Sequence, residues 1–219
     1  HLGVSGGSAI GVMPVATGQH RVYAQIDGPL TVHKYWEAVK AGRSFATSGP
    51  MLSLLADGQG MGAKLSVTST STNPIQLRAT VQSIDALESL QIVHNGQVTA
   101  SLNLLGKDVE DVLRETLSHD LLPQRSGWVI ARAYFRAPDG LLRQAHTSPI
   151  YFYVDGKPVA FAEDARYMLR WIDVLEDIAR TNSDRFPSTA LQEDVLADYD
   201  EARATYLQII RDAQRHWGD

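Results

Sequence analysis

Ile75, Leu77, Ala79 and Val81 occupy every second position, the period of a strand with one face buried. Other strand-like stretches run through 51–56, 65–67, 87–93, 98–104, 128–135, 141–146 and 150–154. Asn95-Gly96 separates two of them. That pair is a strong hairpin signal, because a type I′ turn needs positive φ at both central residues. Asp57-Gly58, Pro138-Asp139-Gly140 and Asp155-Gly156 supply further turns. The result is about seven or eight short strands with regular turn signals, the pattern of an immunoglobulin-like β-sandwich. Residues 107–124 read in two ways. Val109, Val112, Leu113 and Leu117 fit a helix, while 113–121 fits a strand. We take a loop with a helical turn, then a strand.

Outside this region the apolar spacing is helical. Thr31 is a candidate N-cap for a helix over 32–41, with Val32, Tyr35, Trp36 and Val39 on one face. Gly42 stands where that helix would stop in a left-handed turn, and Gly49-Pro50 stiffens entry into the first sandwich strand. Residues 2–10, small and apolar, suit a buried parallel strand running into a glycine-rich loop, and 21–26 suits a short strand. Such a strand–loop–helix unit has no sheet to pair with and requires a partner, in the same polypeptide or another chain. Beyond residue 158 the pattern predicts a helical hairpin. Met168, Trp171, Ile172, Leu175 and Ile178 form one stripe. Leu191, Val195, Tyr199, Ala202, Tyr206, Ile209, Ala213 and Trp217 form the other, with Ser188 as N-cap.

Three segments carry a family resemblance: AGRSFATSGPMLSLLADG at 41–58, SGWVIARAY at 126–134 and HTSPIYFYVDG at 146–156. In this order they resemble the C-terminal part of PHP-type metallohydrolases of the CehA/McbA group, over roughly residues 1–157. The resemblance implies a mainly β chain with α elements. Residues 1–49 would be the remnant of a PHP-type α/β barrel, its last strand, loop and helix. Residues 50–157 would be the immunoglobulin-like sandwich, and 158–219 a C-terminal helical hairpin. It also implies metal-assisted hydrolysis, with bound cations activating water. In that group the loop after the strand reads Gly-Ser-Asp and the Asp is a ligand. This chain has Gly7-Ser8-Ala9, and an alanine side chain has no lone pair to offer. The group's other ligands belong to an upstream barrel. A divalent metal is therefore expected only in a longer parent protein, and none in this chain.

Composition narrows the chemistry further. The net charge is −5, and no basic stripe appears, which argues against nucleic acid. No apolar run approaches the ~20 residues needed to span a bilayer. Cysteine is absent, which excludes disulfides and thiolate metal sites. The start of the chain has neither a charged n-region nor an apolar core, so no signal peptide is read there. Seven histidines are scattered without HxH or HExxH spacing. The acidic cluster of Glu193, Asp194, Asp198, Asp200 and Glu201 has no histidine among it and reads as a solvated face.

Five residues are candidates for binding: Ser8, His20, Arg21, Arg43 and His146. Gly6-Gly7-Ser8 is either a tight loop or an anion cradle. His20 and Arg21 face a barrel mouth or form a solvated surface. Arg43 braces the helix end through orphan carbonyls, and His146 serves as a structural or barrel-facing hydrogen-bonding group. No catalytic residue is assigned: no carboxylate is placed to orient His146, and its neighbour Thr147 points to the opposite face. Trp128 is expected in the core and Arg132 on an outward, solvated position.

Function is expected to follow one of three lines. By resemblance, the chain is the C-terminal portion of a PHP-type, CehA/McbA-like metal-dependent hydrolase or a degenerate relative, itself non-catalytic, with residues 1–49 covered by the missing N-terminal barrel or another chain. Alternatively it is a sandwich binding module for carbohydrate or protein, or an oligomerisation domain. Members of the resembled group are often exported from bacterial cells, so the expected location is periplasmic or secreted.

Overall fold

The computed structural model describes residues 3–8 and 16–219. They divide into two compact units, 1–156 and 157–219. The first is mostly strand: β1 (Arg21–Ala24), α1 (Val32–Lys40), β2 (Ser44–Thr47), β3 (Met51–Ala56), β4 (Lys64–Val67), β5 (Ile75–Ser83), β6 (Ser89–His94), β7 (Gln97–Asn103), β8 (Leu113–Leu121), β9 (Gly127–Arg136), β10 (Leu142–Thr147) and β11 (Ile150–Val154). The second holds α2 (Ala162–Thr181), a 3₁₀ turn (Ser183–Arg185) and α3 (Thr189–Trp217).

Two sheets make a sandwich-like arrangement. The smaller is β3-β5-β8, antiparallel throughout. The larger is organised on β9. One edge of β9 takes β6, which carries β7, and the other takes β10 and then β11 end to end. β2 and β1 extend from β10, and β4 pairs in parallel with β11. Inward residues alternate as the period of two requires: Leu52, Leu54, Leu77, Ala79 and Val81 face Leu90, Ile92, Val129, Ala131, Ala133 and Phe152 across one core. At 25 cal/mol per Å², each fully buried Leu, Ile or Phe side chain contributes roughly 1.5–3 kcal/mol before entropy is subtracted.

Local chemistry sets the turns. Asn95 and Gly96 both have positive φ, 48° and 83°, closing the β6–β7 hairpin as its sequence requires. Asn95 does more: its Oδ1 accepts from Trp128 N at 2.9 Å, tying the hairpin to the start of β9. At the end of α1, Gly42 (φ 72°) donates its N–H to Val39 O, and Arg43 N–H bonds Ala38 O. These paired bonds are a Schellman stop. Thr47 Oγ1 accepts from Gly49 N and donates to Pro50 O, and this turn carries the chain from the larger sheet into the smaller one.

Several expectations are corrected. Residues 3–8, the described part of the predicted first strand, form no strand; Val4 N–H bonds the Ser148 hydroxyl instead of a ladder carbonyl. The strand predicted over 21–26 finds its sheet in the same polypeptide, because β2, unrecognised in the sequence, joins β1 to β10. Residues 107–112 contain no helical turn, and β8 runs as a strand from Leu113. Trp128 is only half-buried on the outer face, because Val129, fully buried, takes the inward position of β9. Arg132 is outward as expected but half-buried, its Nε donating to Gln91 at 2.7 Å. On α1, Val32 and Trp36 are exposed, and the covered face is Ala38 with Tyr35 and Val39.

In the second unit α2 and α3 run antiparallel: Gln192 bonds Ala179 O near the turn, and Ala162 packs near Ala213 at the far end. Ser188 caps α3 through Leu191 N at 3.2 Å. The buried side of α2 is Ala162, Ala165, Ile172 and Ala179. Of the predicted α2 stripe only Ile172 lies there; Met168, Trp171, Leu175 and Ile178 are exposed. On α3, Leu191 is likewise exposed. No helix among the described residues is long and apolar enough to cross a membrane.

Candidate functional site

The pairing of β2 with β10 brings together residues a hundred positions apart. Ala46 lies opposite His146, and Thr47 opposite Ala145. Ser48 and Gln144 continue the contact, with Gln144 N donating to Ser48 Oγ at 2.9 Å. Residues 4–7 pass over this junction. They are held by Val4 N–H on Ser148 Oγ at 3.0 Å, and Ser148 in turn shares a buried 3.1 Å hydroxyl contact with Ser44. Ser8 Oγ accepts from His20 N at 3.1 Å, fastening the same segment to the start of β1.

Between these pieces lies a cleft of about 370 Å³, the size of a small-molecule site. Its polar lining comes from Gly6, Gly7, His20, Arg21, Gln144 and His146, with Ser48 at the rim. Gly6 sits close above Ala46: a Cβ there would approach the Ala46 methyl to 3.3 Å. Among the described lining residues none is acidic, although the chain as a whole carries a net charge of −5.

The outer face of the larger sheet continues this site in one row. Val22, Ala46, His146, Arg132, Gln91 and Ser101 are successive cross-strand partners over β1, β2, β10, β9, β6 and β7. Partial burial, with the Arg132 guanidinium as the lesser cause, pushes the His146 pKa below 6.5. At neutral pH the ring is therefore uncharged, with one N–H to donate and one nitrogen to accept. Neither the His20 nor the His146 ring makes a hydrogen bond among the described residues. Arg21 extends over Tyr23, its Cζ 5.8 Å from the ring centre, and Tyr23 stacks on Phe45. The cleft thus offers hydrogen-bond donors and acceptors on a fixed floor. With no carboxylate among its described lining to orient either imidazole, it lacks the parts of a nucleophile–base–acid relay.

The structure gathers His20, Arg21 and His146 in this cleft, with Ser8 beneath it as an anchor. Arg43 is elsewhere. It is exposed and lines a separate depression with Gln25 and 59–63, and it closes α1 through its backbone N–H rather than its guanidinium. Gln144 and Ser48 carried no signal in the sequence, since only the long-range β2–β10 pairing makes them neighbours. Ala9 lies outside the described residues. Among those described, no three His, Asp or Glu side chains converge as a metal ion requires. Comparison of the chain with family models, curated proteins and solved structures finds no match.

Proposed function

We propose that this chain is the C-terminal, non-catalytic part of a PHP-type, CehA/McbA-like metal-dependent hydrolase or of a relative that has lost its metal site. The observation that carries the reading is the open apolar side of α1: Leu30, Val32 and Trp36 are 75%, 76% and 55% exposed. Those side chains are what an upstream barrel would cover. The immunoglobulin-like character of the sandwich belongs to the same reading. It is supported by the way the three resembling segments supply strands to both sheets: β2, most of β9, the end of β10 and β11 to the larger, and β3 to the smaller. The sandwich would then serve as a rigid base for the barrel's last loop. The test is made on the full-length gene product, by intact mass and by bound divalent metal. A mass well above 24.0 kDa, with metal content that rises on Ala9→Asp, supports the reading. A full-length product of 24.0 kDa overturns it.

The cleft favours a second reading, a binding module without chemistry. His20→Ala and His146→Ala would then each abolish the chemical-shift changes that a bound polar ligand causes in wild-type protein, leaving the fold intact. Shifts that persist in both variants exclude the cleft.

A further inference from the structure

The α2–α3 hairpin treats its two sides differently. On one side of the buried seam the charges are consumed within the chain: Arg203 bonds Asp173 at 2.6 Å and Glu176 at 2.7 Å, and Arg180 bonds Glu176. These contacts hold the Glu176 carboxyl below its ordinary pKa. On the other side α2 presents Tyr167, Met168, Trp171, Val174, Leu175 and Ile178, all 38–51% exposed. At 100° per residue these six form one continuous apolar arc. Its far border is Glu163, Arg170 and Asp177, each seven residues from the next, with signs −, +, −. Arg170 leans over the Tyr167 ring, with Cζ 5.7 Å from its centre. Neither Arg170 nor Asp177 makes an ion pair among the described residues.

We infer that this face docks a second copy of the same chain, α2 against α2 in antiparallel order about a two-fold axis midway between Trp171 and Val174. The border charges select both the occupant and its direction. In that arrangement Trp171 meets the other copy's Val174, and Tyr167 meets its Ile178. Arg170 then lies only two residues, about 3 Å along the axis, from the other copy's Asp177, and five residues, about 7.5 Å, from its Arg170. A parallel two-fold pairing would put the charged border of one helix on the opposite side from that of the other, so Arg170 would not meet Asp177. A two-fold contact is self-complementary, so one patch supplies both halves and the assembly closes at two.

The experiment is sedimentation equilibrium of the 219-residue chain at increasing concentration. The expected mass is twice 24.0 kDa. Arg170→Asp and Asp177→Arg, neither residue having an ion-pair partner among the described residues, should each weaken dimerisation at least tenfold. The double variant, which restores opposite signs, should recover most of that loss. Trp171→Glu should give monomer with an unchanged circular dichroism spectrum. A monomer at all concentrations, an open series of larger assemblies, or a dimer indifferent to both charge reversals overturns the inference.

Discussion

Thr147 shows how one hydroxyl can stand in for a missing strand. Where β10 ends and the chain bends through Ser148-Pro149 into β11, the Ala131 peptide on β9 would lose its ladder partner. Thr147 Oγ1 accepts from Ala131 N at 2.9 Å and lies 3.4 Å from Ala131 O. Thr147 is 1% exposed, so no water replaces it. Thr147→Val keeps the shape and orphans a buried N–H, which should cost about 1–3 kcal/mol in urea unfolding; Thr147→Ser should cost less. Gly62 is constrained differently. Its φ is 81°, and a Cβ would overlap the Ala41 carbonyl. Gly62→Ala should destabilise by about 1–3 kcal/mol through overpacking and left-handed strain. His94 gives a pH response. Burial first, and then nearby His119, hold its pKa below 6.5. The unfolded chain takes up that proton near 6.5 and the folded chain resists it. Stability present above 6.5 is therefore lost as pH falls from 6.5 through the folded value. Urea midpoints should drop between about pH 7.5 and about pH 5, and His94→Gln should flatten the slope. His146, also lowered, contributes with the same sign.

Among the elements, those governed by their own residues were legible beforehand. Asn95-Gly96, the Thr31 and Ser188 caps and the Gly42 stop each satisfy a local backbone demand, and each stands where its sequence places it. Elements governed by a distant partner were not. β2 is four residues long, too short for periodicity to register, and it exists because β10 and β1 flank it. On α2 the apolar residues outnumber one face, so composition could not say which arc meets α3; the small residues Ala165 and Ala179 do, because they let the helices approach. The site divides the same way. His20, Arg21 and His146 were candidates by type and by resemblance, and Gly6-Gly7 by its loop chemistry, while Gln144 and Ser48 required the sheet order to be known. Ser188→Ala should destabilise the helical unit by about 1 kcal/mol, read from its thermal transition.

At the scale of the molecule, the open side of α1 makes the effect of a mutation depend on what covers it. In the 219-residue chain Trp36 is 55% exposed, so Trp36→Ser should change stability by no more than about 0.5 kcal/mol. In a longer protein whose barrel covers α1, the same change should cost a buried aromatic, about 3 kcal/mol or more. Calorimetry of both lengths distinguishes the cases.

The β2–β10 junction also sets a timetable. Phe45 pairs with Thr147, so roughly a hundred residues must be translated between the two halves of that ladder. At 5–20 residues per second the wait is about 5–20 s. During it β2 has an open edge, while the β6–β7 hairpin, with its two-residue turn, closes in microseconds. The nascent chain is therefore most vulnerable before the ribosome delivers β10, and that is the interval in which a chaperone would have something to hold.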